Sequence, residues 1–258
     1  MNEIKLIISG YNGFMGKIVA DIAGSDPSLT VVAGFDIYSE TQGDCPVFAD
    51  PAEFSGEADV LVDFSSPSAL SGLIDFCLKF KIPPVFCTTG YSAEQIGQIE
   101  SAAEFIPVFR SGNMSLGINL LTDLIKRACA VLGGDYDIEI IERHHRRKVD
   151  APSGTALMLA DAAASAFDFD SEYTFERQSR SKPRPANEIG ISSVRGGTIV
   201  GEHEVVFAGR DEVIELRHTA ASREVFAVGA VRAAKFMAKI GAPGLYDMND
   251  VFSLTING

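Results

Sequence analysis

The sequence predicts an α/β chain in which a doubly wound parallel sheet is joined to a smaller α+β domain. Three observations carry that expectation. Short apolar β-forming runs alternate with helical patterns as far as Phe109, the rhythm of a parallel sheet crossed by helices. Gly10, Gly13 and Gly16 follow the first such run and open the first helical pattern. Beyond Leu132 the alternation stops, and a helix with several strand-like runs follows.

Ile4 to Ser9 reads as a strand, Gly10-Tyr11-Asn12-Gly13-Phe14-Met15-Gly16 as a glycine turn, and Lys17 to Ala23 as a helix. In a Rossmann-like domain such a turn binds a dinucleotide. Gly10 permits the tight bend, Gly13 admits a pyrophosphate to the backbone, Gly16 lets helix and strand pack closely, and the phosphates sit at the helix N-terminus. Thr30 to Phe35 reads as the second strand and ends at Asp36, about 20 residues past the turn, where an acidic side chain takes the ribose hydroxyls. The competing reading is a surface turn beside a chance aspartate.

Asp59 to Phe64, Pro84 to Cys87 and Ile106 to Phe109 continue the strands, with helices over Pro67 to Phe80 and Ser92 to Ala103. In a parallel sheet, ligands sit beyond the C-terminal strand ends. The segments expected to line a cofactor crevice are therefore Asp63-Phe64-Ser65-Ser66, Thr88-Thr89-Gly90 and Ser111-Gly112-Asn113-Met114.

The second domain opens with a helix over Leu116 to Leu132, and a strand over Tyr136 to Glu142 delivers the densest chemistry in the chain, ERHHRRKVDAPSGTA from Glu142 to Ala156. His144 and His145 offer proton transfer near neutral pH, and Arg143, Arg146, Arg147 and Lys148 make the surroundings attractive to an anion. These cations are expected to depress the His144 pKa, and a bound dicarboxylate to raise it again. Pro152 suits a first helical turn and Ser153 a cap for a helix reaching Phe167. The backbone N–H groups of Ser153, Gly154 and Thr155, with two hydroxyls, then form a site for a carboxylate or phosphate. No metal site is expected: adjacent histidines on a strand point to opposite faces, and no cysteine or further histidine stands at ligand spacing.

Ser179 to Glu188, with Arg180, Lys182, Pro183, Arg184 and Pro185, reads as a loop, either a lid or an exposed connection. Ile189 to Val194, Thr198 to Ala208 and Glu212 to Thr219 read as antiparallel strands, and Ser222 to Ile240 as an alanine-rich helix. Along the last strand Val213, Glu215 and Arg217 alternate with Ile214, Leu216 and His218, and the second, more apolar set could be covered by a partner subunit or by the chain's own helices.

Of the 258 residues 46% are hydrophobic, enough for a substantial core, and the net charge of −13 argues against nonspecific nucleic-acid binding. Cys45, Cys77, Cys87 and Cys129 lack paired spacing and read as reduced core thiols, and no apolar run reaches membrane-spanning length. With no targeting pattern before the first strand, the expectation is a cytoplasmic protein that binds no membrane.

HHRRKVDAPSGTA resembles the signature of the 4-hydroxy-tetrahydrodipicolinate reductase (dihydrodipicolinate reductase) family. Val194-Arg195-Gly196-Gly197, Gly201-Glu202-His203, His218-Thr219-Ala220-Ala221-Ser222-Arg223 and Gly244-Leu245-Tyr246-Asp247-Met248 resemble further motifs of the same family, so the likeness spans nearly the whole chain. The resemblance implies a discontinuous dinucleotide-binding domain, 1–115 with 222–258, and a substrate-binding and oligomerisation domain over 116–221. It implies His144 and Lys148 as proton donors, with the one that protonates carbon left open, and His145, Ser153, Gly154 and Thr155 as binders of a cyclic dicarboxylate. The cofactor-binding residues expected are Gly10, Tyr11, Asn12, Gly13, Phe14, Met15 and Asp36, together with Cys87, Thr88 and Thr89 and with Ser111, Gly112, Asn113 and Met114. Met114 stands where the family often has an aromatic residue. NADH is the expected cofactor, with NADPH also accepted, and the expected assembly is a homotetramer built through the second-domain sheets. A different nicotinamide-dependent reductase and a non-catalytic dinucleotide sensor are the alternatives, and the intact His-His…Lys…Ser-Gly-Thr pattern argues against both.

Overall fold

The computed structural model describes residues 3–39, 43, 45–167, 170–179 and 181–256, with side chains as far as residue 252. Its contacts divide the chain into two compact units, one of residues 1–115 with 224–258 and the other of residues 116–223.

In chain order the first unit runs β1 (Ile4–Ser9), α1 (Phe14–Gly24), β2 (Leu29–Phe35), β3 (Val47–Phe48), β4 (Val60–Asp63), α2 (Leu70–Phe80), β5 (Pro84–Phe86), α3 (Ala93–Ala103) and β6 (Pro107–Arg110). The second unit holds α4 (Leu116–Leu132), β7 (Asp137–His144), α5 (Gly154–Ala164), β8 (Glu172–Thr174), β9 (Glu188–Arg195), β10 (Gly201–Ala208) and β11 (Val213–Ala220). The chain then returns to the first unit with α6 (Glu224–Met237), β12 (Gly244–Tyr246) and α7 (Met248–Ile256).

Among the described residues the first unit's sheet has the order β12-β6-β5-β4-β1-β2-β3 and is parallel throughout. The strand order reverses direction at β1, whose C-terminal end meets the glycine turn. That edge of the sheet is the place where an open parallel sheet binds ligands. Its core joins Leu61, Leu73, Cys77 and Phe86 to an aromatic cluster in which the Phe35 and Phe76 rings meet edge to face at 5.0 Å. Local signals set the element ends. Ser92 and Gln95 close a capping box on α3, and Lys81 ends α2 in the left-handed conformation at φ 55°. An ion pair between Lys235 and Asp26 helps hold α6 beside α1, and the Asp26 carboxyl lies at about 2 because Lys235 and Ser28 stabilise its charge.

The second unit's sheet has the order β11-β10-β7-β9-β8. It is mixed, which corrects the expectation of three antiparallel strands. β10 and β11 form the expected antiparallel hairpin, but β9 pairs with β7 in parallel, with Ile138 opposite Ile189 and His144 opposite Arg195. The chain passes through α5 between β7 and β9, the kind of crossover a parallel pair requires. Residues 196–200 then carry the chain past the end of β7 to its other edge, pinned by Gly196 N–H on the His144 carbonyl at 2.9 Å. A strand's side-chain alternation is the same whichever way its neighbour runs, so the pattern could not have decided the pairing.

Ile138, Ile140, Ile189, Ile191, Val205 and Phe207 face α4 and α5 and form this unit's core, and Leu216 packs on its edge. The apolar set of β11 thus covers the chain's own helices at Leu216, and the charged set lies on the other face. The segment before β9 has no helix or strand among its described residues. Arg184 ties it back through Glu139 at 2.6 Å and Asp137 at 3.3 Å, and Arg180 lies outside the described residues.

Candidate active site

In the first unit, Gly10 adopts φ +76° and Gly16 is buried directly beneath it, so close that a Cβ on Gly16 would stand 2.1 Å from the Gly10 carbonyl oxygen. Gly13 is exposed at the N-cap of α1. The turn, the end of β2 and the Ser65-Ser66 segment line a cleft of about 590 Å³, with Asp36, Ile37 and Tyr38 along one side. Asp36 is held there by two backbone amides, Asn12 N–H to Oδ2 at 2.9 Å and Tyr38 N–H to Oδ1 at 3.1 Å. Farther along the strand ends, the fully buried Asp63 accepts from the Ser65 hydroxyl at 2.5 Å and the Thr88 hydroxyl at 2.7 Å, which fixes both loops.

In the second unit, strand register gathers side chains that lie far apart in sequence. Glu142 on β7 stands opposite Ser193 on β9 and His203 on β10, and His203 stands opposite His218 on β11. Two residues on, His144 stands opposite Arg195. Glu142 is fully buried yet accepts from His144 Nδ1 at 2.5 Å, Arg195 Nη1 at 2.8 Å, Arg195 Nη2 at 2.7 Å and Ser153 N–H at 3.2 Å. Burial pushes its carboxyl upward, but hydrogen bonds from Arg195, His144 and Ser193 outweigh that and hold it at about 2. His144 is buried beside it, with its ring 5.1 Å from that of His203. A Cβ on Gly201 would lie 3.2 Å from His144 Nε2, so the absence of a side chain there keeps that edge of the ring clear.

The His144 pKa is lowered, as expected, but chiefly by burial. Glu142 opposes the shift, and Lys148 and Arg195 add smaller depressions. Of the cations around the histidines, Arg143 turns to the opposite face and pairs with Glu204 at 2.9 Å, while Arg146 and Arg147 are exposed. Lys148 stays half-buried and pairs with Asp150 at 2.9 Å, which lowers the Asp150 pKa.

Helix α5 begins at Gly154, one residue past Ser153, and Pro152 precedes the cap instead of forming the first turn. The expected free amide and hydroxyl of Ser153 are both occupied. Its N–H serves Glu142, and its Oγ accepts from Ala156 N–H at 3.1 Å and meets His203 Nε2 at 2.9 Å. A cap residue spends its polar groups on the helix it starts, and here also on the strand beneath. Gly154 is exposed with nothing within 4 Å of the place a Cβ would take, and Thr155 is half-buried beside it. The arrangement combines a helix N-terminus, a lysine and a carboxylate-backed histidine, a set suited to binding an anion and moving a proton.

Residues 4–114 match the family profile described as Dihydrodipicolinate reductase, N-terminus, and residues 117–252 match Dihydrodipicolinate reductase, C-terminus. The chain belongs to the dihydrodipicolinate reductase family. It is 53% identical over 249 residues to the 4-hydroxy-tetrahydrodipicolinate reductase of Caldanaerobacter subterraneus subsp. tengcongensis, covering 96% of this chain and 98% of the relative. The enzyme of the same name from Clostridium botulinum is 47% identical, covering 98% and 99%. Among solved structures, a dipicolinate-bound dihydrodipicolinate reductase from Paenisporosarcina sp. TG-14 superposes with a TM-score of 0.79 at 25% identity, covering 95% of this chain and 97% of its own. A probable dehydrogenase from Thermotoga maritima shares the fold at a TM-score of 0.64 and 13% identity, covering 96% of this chain and 92% of its own.

Within this dihydrodipicolinate reductase fold the expected cofactor residues divide by orientation. Gly10, Asn12, Gly13 and Asp36 line the cleft, and Phe14 is exposed at the start of α1 with Met15 half-buried behind it. Tyr11 turns inward, where its ring fills the space above Gly34. Cys87 and Met114 are buried, the Cys87 thiol donating to the Val85 carbonyl at 3.6 Å, so only their backbones can face a ligand. Thr89 and Gly112 are exposed, Thr88 is half-buried, and Ser111 and Asn113 brace their own turn through the Ser111 hydroxyl on the Asn113 carbonyl at 2.8 Å. His145 is half-buried, and its Nδ1 lies out of solvent without a hydrogen-bond partner among the described residues. Glu142, Arg195 and His203 had no assigned role in the sequence. The one signal for them was that each lies in or beside a family-like motif. Among the described residues no helix is long and apolar enough to cross a membrane, and no cluster of three potential metal ligands occurs.

Proposed function

We propose that this chain reduces 4-hydroxy-tetrahydrodipicolinate, by way of dihydrodipicolinate, to tetrahydrodipicolinate with loss of water, a step of diaminopimelate and lysine biosynthesis. The observation that carries this reading is the match to both halves of the family over nearly the full chain, at 53% and 47% identity to reductases of that name.

The first unit fits a nicotinamide dinucleotide. Its exposed Gly13 at a helix N-terminus suits the pyrophosphate, and the tethered Asp36 carboxylate suits the ribose hydroxyls. The cofactor supplies the hydride. The backbones of Thr88-Thr89 and Ser111-Gly112-Asn113 are assigned to its nicotinamide end, and the carboxylate of Asp36 favours NADH over NADPH.

In the second unit one substrate carboxylate is assigned to Gly154 and Thr155 at the start of α5, and the second charge to His145 and Lys148. His145 is half-buried just past the end of β7, and an imidazole there can make a charge-assisted contact with a carboxylate. Reduction of the conjugated ring builds negative charge that a proton must quench. His144 and Lys148 are assigned to donate it, an imidazolium and an ammonium both being able to act as general acids.

The homotetramer is supported by the second sheet. The face away from α4 and α5 carries Ile141 and Val206 among the ion pairs of Arg143 with Glu204 and of Arg217 with Glu202. Sedimentation showing only monomer at working concentration would remove the tetramer. The reductase reading is tested by coupling the purified chain to the condensation of pyruvate with aspartate semialdehyde and following NADH and NADPH absorbance. Oxidation that depends on the condensing enzyme is expected, and its absence with both cofactors would overturn the reading.

A further inference from the structure

We propose that Glu142 is the positioning residue of this site, its carboxylate clamped by the Arg195 guanidinium so that it holds Nδ1–H of His144 and leaves Nε2 as the nitrogen that gives and takes the proton. The inference rests on the proton-transfer role proposed for His144 and adds what makes that role possible.

The geometry carries it in three steps. A neutral imidazole has one N–H and one bare nitrogen, and the hydrogen bond made by one nitrogen decides which is which. Nδ1 of His144 lies 2.5 Å from Oε2 of Glu142, and an ionised carboxylate can only accept, so the proton resides on Nδ1. The carboxylate cannot turn away. Arg195 grips both of its oxygens, at 2.8 and 2.7 Å, and the Ser153 amide takes Oε1 at 3.2 Å. Arg195 is itself fixed on the Asp150 carbonyl at 2.6 Å and the Val194 carbonyl at 2.8 Å. The remaining edge of the ring, at Nε2, faces the α-carbon of Gly201, where no side chain intrudes.

The clamp therefore does two things. It selects the tautomer, and it supports the imidazolium by placing a buried negative charge against it. When the imidazolium gives its Nε2 proton to the substrate, its Nδ1 keeps the other proton, hydrogen-bonded to Glu142, and the carboxylate stays ionised throughout. The same network joins this strand to the anion-binding helix, because Ser153 donates its amide to Glu142 while its hydroxyl caps α5 and meets His203.

The test uses the full chain with 15N-labelled histidine, its four histidines assigned by single substitutions. Unmodified protein is expected to show His144 protonated on Nδ1 when neutral. In Glu142→Gln the amide can donate to Nδ1, which favours the Nε2–H tautomer. That variant is expected to lose kcat on the order of 100-fold, with NADH affinity close to that of the parent and a lower melting temperature, because Arg195 is left without its buried partner. The groups facing His144 are Glu142 on its own strand, Arg195 on β9, His203 on β10 and Lys148 beyond the strand end. Glu142 alone among them raises its pKa, so the high-pH limb of the kcat profile is expected to move to lower pH in Glu142→Gln. Arg195→Met, which frees the carboxylate without touching the histidine, is expected to change the tautomer ratio and kcat in the same direction by a smaller factor. It serves as the test if Glu142→Gln does not fold. An active protein with His144 protonated on Nε2, or variants whose kcat and pH limb match the parent, would overturn the inference. An inactive parent with the expected tautomer would instead overturn the reductase reading and leave the clamp intact.

Discussion

The backbone amide of Asn12 donates to Oδ2 of Asp36 at 2.9 Å, so the glycine turn and the end of β2 are joined through one carboxylate. The other oxygen accepts from Tyr38 N–H at 3.1 Å, which leaves the side chain little freedom to rotate away from a ligand in the cleft.

Cofactor choice follows from that tether. A 2′-phosphate about 4 Å from a carboxylate, at an effective dielectric of about 20, meets roughly 4 kcal/mol of repulsion, reduced by solvent and salt to about 1–2 kcal/mol. A kcat/KM about tenfold higher with NADH than with NADPH is expected. Ile37 and Phe14, where a neutralising arginine could stand, are both exposed apolar side chains. Ile37→Arg should therefore narrow the gap without loss of stability. Steady-state kinetics with both cofactors check this, and equal use of NADPH by the parent would show that other groups accept the phosphate.

The three glycines of the turn should respond unequally to alanine. At Gly16 the new Cβ would stand 2.1 Å from the Gly10 carbonyl oxygen and 2.8 Å from the Tyr11 Cα, both backbone atoms that cannot swing aside. Gly16→Ala is expected to lower stability by about 3 kcal/mol and to abolish NADH binding. At exposed Gly13 the nearest atom is the same oxygen at 3.1 Å, so Gly13→Ala should melt close to the parent while binding NADH less well. Urea unfolding and a fluorescence titration with NADH separate the two, and equal melting of both variants would contradict the packing argument.

Lys148→Ala is expected to lower kcat by on the order of 100-fold while leaving NADH affinity nearly unchanged, because the lysine lies in the second unit beside Asp150 and not in the cofactor cleft. Pyridine-2,6-dicarboxylate should compete with the substrate and bind Lys148→Ala less tightly. A collapse of NADH binding in the variant would move the lysine's role to the nucleotide or to folding.

His203 sets a pH dependence of stability. Its pKa is lowered to about 4, first by burial and then by His144, His218 and Lys148, with Glu142 opposing. The folded pKa lies below the unfolded value of about 6.5, so the unfolded chain binds the extra proton first and stability falls as pH drops through that window. The loss amounts to about 3 kcal/mol between pH 6.5 and 4. His203→Gln keeps a hydrogen-bonding partner for the Ser153 hydroxyl and removes the titration. Urea unfolding at a series of pH values should show the slope between pH 6.5 and 4.5 flattened in the variant, and an unchanged slope would assign the acid sensitivity elsewhere.

Much of the first unit was readable as sequence because its signals are local. Gly10, Gly13 and Gly16 encode a turn within a few residues, and each apolar run of a parallel sheet buried on both faces declares itself without reference to its partner. Small elements were missed for the same reason. β3, β8 and β12 are two or three residues long, too short for a period to show, and they exist only because a neighbouring strand end offers hydrogen bonds.

The sequence by itself determined the chemistry available: two histidines, a lysine and a glycine-led helix start close together, and an aspartate at dinucleotide spacing after a glycine turn. Tertiary structure alone decided how those groups are used. Only strand register places Ser193 and Arg195 on one side of β7 and His203 on the other, so no local pattern could say that Glu142 would be buried, gripped from β9 and set against His144. The same register separated residues that looked alike in the sequence. Side chains alternate across a strand, so Arg143 went to the open face with Glu204 while its neighbour His144 went to the covered one. Side-chain type is written residue by residue, whereas face, burial and partner are properties of the sheet and arise only when distant strands pair.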